Sequence, residues 1–212
     1  MNKLKIQHYS EFKKLALNGD IIVFYNKKNL FSKLINFFSK IILIIRNSKQ
    51  KLTIMKIICL FNLMKKNKQI ASSHVAICLG NGAIFEANIL KGVHIGNIDT
   101  YLNSKYSVYI LRIKDFSNLK KERLKNIVLD ILFQNKGYDL KGLFALGWAC
   151  LIGKDLNKIK QNDNNCFCST LNDEVFDEIN MELFPNIPRN QLTPSDYYNL
   201  KDSLCLLIGF YE

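Results

Sequence analysis

The stretch SHVAICLGNGAIFEAN, Ser73 to Asn88, leaves the chain few folding options. Two apolar, strand-forming runs flank a Gly-Asn-Gly tip, and that pattern specifies an antiparallel hairpin. Register then determines which side chains meet. If Gly80, Asn81 and Gly82 form a three-residue loop, Leu79 pairs with Ala83 and His74 with Asn88. His74, Ala76, Cys78, Ile84, Glu86 and Asn88 then share one face, because side chains alternate along a strand. Glu86 stands diagonally across from His74, within side-chain reach. A carboxylate there fixes the imidazole tautomer and favours its protonated form. A two-residue loop would turn Glu86 to the opposite face, where it reads as a surface residue of an edge strand.

Around the hairpin, helical and strand patterns alternate. A short helix is expected over 9–17, and "NGD" then turns into the strand IIVFY, Ile21 to Tyr25. Val108 to Lys114 reads as a strand. LKKERLKNIVLDILFQNKG reads as a helix closed by Gly137. YDLKGLFALGWACLIG opens with a turn and continues as a helix. Its smooth apolar part, Gly142 to Gly153, is twelve residues long. A bilayer span needs about 20 residues, so a buried core helix is expected instead. CSTLNDEVFDEINM is a further helix. TPSDYYNL begins with Pro at the first helical position and Thr193 as its cap. SLCLLIGFYE ends the chain as a strand. Mixed helices and antiparallel strands place the chain in the α+β class. Its 212 residues fit a single domain, 1–212, with a helical insert at 26–69.

The insert holds nearly all of the net charge. Between Asn26 and Gln69 there are eleven Lys or Arg and no Asp or Glu, against a net charge of +12 for the whole chain. In LFSKLINFFSKIILIIR, Ser32, Lys33, Asn36, Ser39 and Lys40 recur at helical spacing. Leu30, Leu34, Phe37, Phe38, Ile41 and Ile45 make the other face. A basic amphipathic helix suits an anionic membrane surface or an acidic partner. It equally suits a solvated cover over the protein's own core. Two helices are expected in the insert. Nucleic acid is disfavoured, because the segment is strongly apolar and no nucleic-acid module is recognisable.

MNKLKIQHYSEFKKL lacks the continuous apolar run of a secretory signal, and no segment reads as a membrane span. A cytoplasmic protein, peripheral on a membrane through 26–69, is therefore expected. Its six cysteines, Cys59, Cys78, Cys150, Cys166, Cys168 and Cys205, are then expected as free thiols.

NNCFCSTL, Asn164 to Leu171, poses the chemical question. Cys168 opens a helix, whose N-terminus favours negative charge on sulfur. Unpaired N–H groups at that end suit an oxyanion. Asn164 and Asn165 stand where they could cap the helix. Cys166 falls outside it and gains less from the helix dipole. A single C-x-C without a second Cys/His pair is a poor metal site, so neither metal nor cofactor is expected. Taken alone, Cys168 reads better as a small buried hydrophobe.

In combination, GDIIVFY, then SHVAICLGNGAIFEA, then a helix opened by CSTL resembles the papain-like NlpC-type hydrolases. The order His, then polar residue, then Cys is similar to the circularly permuted branch, the YaeF/YiiX-like amidases. GYDLKGL before the cysteine and TPSDYY after it add to the likeness, which runs from Gly19 onward outside the insert. Phe167 and Thr170 depart from the Tyr and Glu of the branch's YCSEL pattern. The resemblance implies Cys168 as nucleophile, His74 as base and acid, and Glu86 as the residue orienting His74. It implies hydrolysis of an amide or ester through a thioester, on a peptide, cell-wall peptide or lipid acyl substrate. With a basic apolar insert directly before the His hairpin, the reading leans toward an acylated or membrane-associated substrate. The alternative is a catalytically idle module that holds lipid or peptide in the same cleft.

Overall fold

The computed structural model describes residues 4–5, 9–26, 30–48, 72–103, 105–152 and 164–211. It is an α+β protein built on one large sheet. In chain order the elements are β1 (Leu4–Lys5), α1 (Tyr9–Leu15), β2 (Ile21–Asn26) and α2 (Leu30–Ser48). Then come β3 (His74–Gly80), β4 (Ala83–Asn88), β5 (Gly92–Asn97), β6 (Tyr106–Ile113) and α3 (Asn118–Phe133). They are followed by β7 (Gly137–Tyr138), α4 (Leu140–Ile152), β8 (Asn165–Cys166), α5 (Cys168–Glu178), α6 (Pro194–Asn199) and β9 (Cys205–Tyr211). The second helix expected in the insert falls at 49–71, outside the described residues.

The sheet order is β1-β9-β6-β2-β3-β4-β5. Six strands are antiparallel, and the two-residue β1 adds a parallel edge on β9. β2 sits in the middle, and Ile21, Ile22, Val23 and Phe24 are wholly buried. That continuous apolar run is what a strand covered on both faces requires. One face carries Val75, Ile77, Phe85 and Ala87, packed with Leu124 and Val128 of α3 and Leu171 and Val175 of α5. The other carries Ile22, Phe24, Ala76, Cys78 and Ile84, packed with Phe12 of α1 and Ala16 just beyond it. Each fully buried Ile or Phe contributes about 1.5–3 kcal/mol relative to exposure.

At the start of β2, Asp20 is buried and held by Arg112 of β6. Nε and an Nη of Arg112 donate to its two oxygens at 2.9 and 2.8 Å. The Gly-Asp ahead of β2 therefore joins two central strands, at the far end of β2 from its Phe24–His74 pairing with β3.

Four expectations are corrected. The hairpin tip is a two-residue Asn81–Gly82 turn, with Gly80 rather than Leu79 opposite Ala83. Asn81 and Gly82 both take positive φ (52° and 81°), as a type I′ turn requires. A bulge between Cys78 and Gly80 takes up the extra residue, so Cys78 still pairs with Ile84 and Ile77 with Phe85. The face assignment of Glu86 survives although the loop is shorter.

α3 ends at Phe133, not at Gly137. Asn135 takes the left-handed φ of 50°, and Gly137 pairs in β7. Gly137 is small because a Cβ there would meet Asn165 Oδ1 at 2.4 Å. Along α2, Lys33 is exposed but Asn36 and Ser39 are buried. The stripe of small polar residues lies largely inside the molecule, with Ser39 lining a pocket against α4. Lastly, α4 is not a buried core helix. Leu146 and Ala149 pack on Ile41 and Ile42 of α2, while Leu140, Phe144, Trp148 and Ile152 are exposed. The helix is apolar nearly all round, so its sequence holds no record of which side finds a neighbour.

Candidate active site

β3 begins at His74, and β4 returns with Glu86 in the register that the alternation requires. His74 Nε2 and Glu86 Oε2 lie 2.6 Å apart. With Nε2 committed to the carboxylate, Nδ1 is the ring nitrogen left for another partner. Cys168 is near enough for its side chain and charge to act on the imidazole. The structure thus brings together the three residues singled out by the sequence.

Local chemistry accounts for where Cys168 stands. β7 and β8 pair in parallel, Gly137 with Asn165 and Tyr138 with Cys166. Asp139 N–H donates to Cys166 O at 3.1 Å. This short ladder fixes the chain just before α5, and Cys168 is the first helical residue after Phe167. Neither Asn164 nor Asn165 caps α5. Asn165 is consumed in β8, and the Phe167 N–H donates to Thr170 Oγ1 at 2.9 Å. A reciprocal bond from the third helical residue back to the cap backbone is half of a capping box. Thr170 thus performs with a hydroxyl what a Glu at that position does with a carboxylate.

Further bonds pin the same turn. Ser169 Oγ donates to Leu192 O at 2.8 Å, and Tyr197 Oη donates to Ser169 O at 2.7 Å. The first-turn N–H groups, those of Cys168 and Ser169 included, have no intrahelical acceptor. Thr193 stands, as expected, at the N-cap of α6. Its N–H and hydroxyl both donate to Asp196 Oδ2, at 2.9 and 2.8 Å.

The electrostatics favour charge at the center. Burial opposes the imidazolium, but the charge and hydrogen bond of Cys168 and then those of Glu86 outweigh it, raising His74 to about 10. Burial would raise Glu86 too, yet the bond and charge of His74 and the hydroxyl of Tyr101 hold it below the usual carboxylate range. Burial pushes Cys78 up to about 11 and Cys166 and Cys205 up to about 12. All four cysteines whose side chains are described are free thiols. The side chains of Cys59 and Cys150 lie outside the described residues.

Sequence reasoning missed two members of the cluster. Tyr101 Oη donates to Glu86 Oε2 at 2.7 Å, and its ring stacks against His74 at 5.7 Å between centroids. His94 sits directly opposite Glu86 on β5, with Nε2 3.3 Å from Oε1. Its Nδ1 faces Gly92 O at 3.1 Å, so that nitrogen carries a proton. The available signal was the alternation in GVHIG, a strand pattern next to the hairpin. Gly96 makes room for the arrangement, since a Cβ there would meet Glu86 Oε1 at 2.6 Å.

Beside Cys168 lies a narrow apolar pocket. Ile35, Phe38 and Ile42 of α2 face Leu143 and Leu146 of α4 across it, with Tyr138 at the side. Gly147 allows the two helices to close in, because a Cβ there would meet the Phe38 ring at 2.6 Å. No protein-family model matches the chain, and no curated protein matches it.

Proposed function

We propose that this protein is a thiol-dependent hydrolase of the permuted papain-like kind, acting through Cys168, His74 and Glu86. The observation that carries the reading is the His74–Glu86 pair at 2.6 Å with Cys168, at a helix N-terminus, acting on the same imidazole. An imidazolium beside a thiol stabilises the thiolate, which is the nucleophilic form. The carboxylate fixes the ring and stabilises its positive charge. The residues stand in the order His74, Glu86, Cys168, as in the permuted branch.

The mechanism follows from these roles. Cys168 Sγ attacks the carbonyl carbon of an amide or ester, forming a C–S bond. First-turn N–H groups of α5 stabilise the developing oxyanion. The C–N or C–O bond then breaks, and the leaving group takes the proton held by His74. A thioester remains on Cys168. Water attacks it while His74 accepts a water proton, the C–S bond breaks, and the acid departs with the thiolate restored. The pocket between α2 and α4 supports an apolar acyl side. It favours a lipid-like acyl group over a cell-wall peptide.

A burst assay on an aryl acyl ester, with mass spectrometry of the trapped acyl-enzyme, tests the reading. Acylation on Cys168 is expected, with Cys168→Ala and His74→Ala each reducing turnover by about a thousandfold or more. If Cys168 alkylates no faster than Cys78, Cys166 and Cys205, and His74→Ala leaves that rate unchanged, the hydrolase reading fails.

A further inference from the structure

α4 has two different apolar sides. Leu143, Leu146 and Gly147 face the pocket next to Cys168. On the outer side, Leu140 (36% exposed), Phe144 (52%), Trp148 (64%) and Ile152 (47%) form a stripe at intervals of four residues. Residues so spaced stack along one helix face. Ala145 is exposed beside them, and so is Lys141. Four large apolar side chains in one exposed row are what a soluble surface ordinarily avoids.

The charge around the stripe identifies its occupant. α2 packs on α4 through Ile41, Ile42, Leu146 and Ala149. Besides Arg46, which is paired with Asp196, the two helices carry Lys33, Lys40 and Lys141 and no acidic residue. A second copy of this chain would bring like charge against like. An anionic phospholipid bilayer takes both features at once: acyl chains accept the apolar row, and headgroups accept the cations. Trp is suited to that boundary, with an apolar ring and one N–H donor.

We propose that the outer face of α4 docks this protein on an anionic phospholipid surface, with Phe144 and Trp148 inserted at the headgroup boundary. The helix touching the bilayer is then also a wall of the pocket at Cys168. The proposal goes beyond the thiol chemistry and does not depend on it.

Trp148 is the only tryptophan in the chain, so its fluorescence reports the stripe directly. The full-length protein is titrated with phosphatidylcholine vesicles and with phosphatidylcholine–phosphatidylserine vesicles, reading Trp148 emission, acrylamide quenching and co-sedimentation. A blue shift, reduced quenching and co-sedimentation are expected with the mixed vesicles and weakened by added salt. Phe144→Glu, at an exposed position, is expected to weaken binding by at least about tenfold. Trp148→Gln, followed by sedimentation alone, provides a second variant with the same expectation. Cys168→Ala is expected to bind vesicles as the parent does, which separates docking from the hydrolase reading. Failure to co-sediment with the mixed vesicles overturns the proposal. So does binding without a Trp148 shift that Phe144→Glu leaves unchanged. A Trp148 already shielded from acrylamide in the free protein overturns it too, since another part of the chain or a second copy then covers the stripe.

Discussion

Glu86 is held on one carboxylate oxygen by His74 and Tyr101, and His94 Nε2 stands 3.3 Å from the other. With three neighbours and almost no solvent contact, its orientation is over-determined, as a residue that must steady an imidazole requires. Burial and the Glu86 carboxylate push the Tyr101 hydroxyl far above its usual range, so it remains a donor at all working pH. His74 carries a pH signature. Its folded value of about 10 lies above the ordinary 6.5, so protonation stabilises the fold. That contribution is fully present below 6.5 and lost as pH rises through about 10. Glu86 contributes in the opposite sense, its share being lost as pH falls through its lowered value. Denaturant titrations of the protein and of His74→Ala are expected to differ most below about pH 6.5 and to converge as pH rises through about 10. A stability gap that stays constant over this range would remove the imidazolium from the site.

At the scale of elements, the β3–β4–β5 meander does the positioning. Register places Glu86 between His74 on one neighbouring strand and His94 on the other. Gly96, on β5, leaves the space that the Glu86 carboxylate occupies. Gly96→Ala is expected to displace Glu86, lowering kcat/KM by about ten- to a hundredfold. Circular dichroism is expected to show the fold retained, because the backbone at Gly96 is not in the left-handed region. Ester turnover at parental rate in this variant would show that the Glu86 position is not critical. The helix side of the site is held by the β7–β8 ladder and by Ser169 and Tyr197. These bonds keep the first turn of α5 in place.

For the molecule as a whole, α2, the first helix of the basic insert, is an integral wall and not an appendage. α2 packs on α4, and its Arg46 forms an ion pair with Asp196 of α6. Asp196 is buried and also receives the Thr193 N–H and hydroxyl. Removing Arg46 leaves a buried carboxylate short of one partner. Arg46→Ala is expected to cost about 1–3 kcal/mol in denaturant unfolding. Hydrogen exchange is expected to speed up first in α2, while β2 and β6 stay protected. Uniform loss of protection across the sheet would mean that α2 does not open as a unit. No helix among the described residues is long and apolar enough to cross a membrane.

Much of the site was legible in the residues themselves. Alternation and the glycine-flanked turn put His74 and Glu86 on one face, because a bulge can change a hairpin tip without moving the strands beyond it. The helix opened by Cys168 and the cap at Thr193 were legible for the same reason: capping is chemistry between near neighbours. Tertiary structure decided the rest. His94 and Tyr101 meet Glu86 only once β5 is laid against β4 and residues 98–101 fold back, a matter of topology that no local pattern encodes. The exposure of α4 was also decided there. A helix apolar on every side is equally suited to a core or to a surface, and only the packing of α2 on one side left the other facing out.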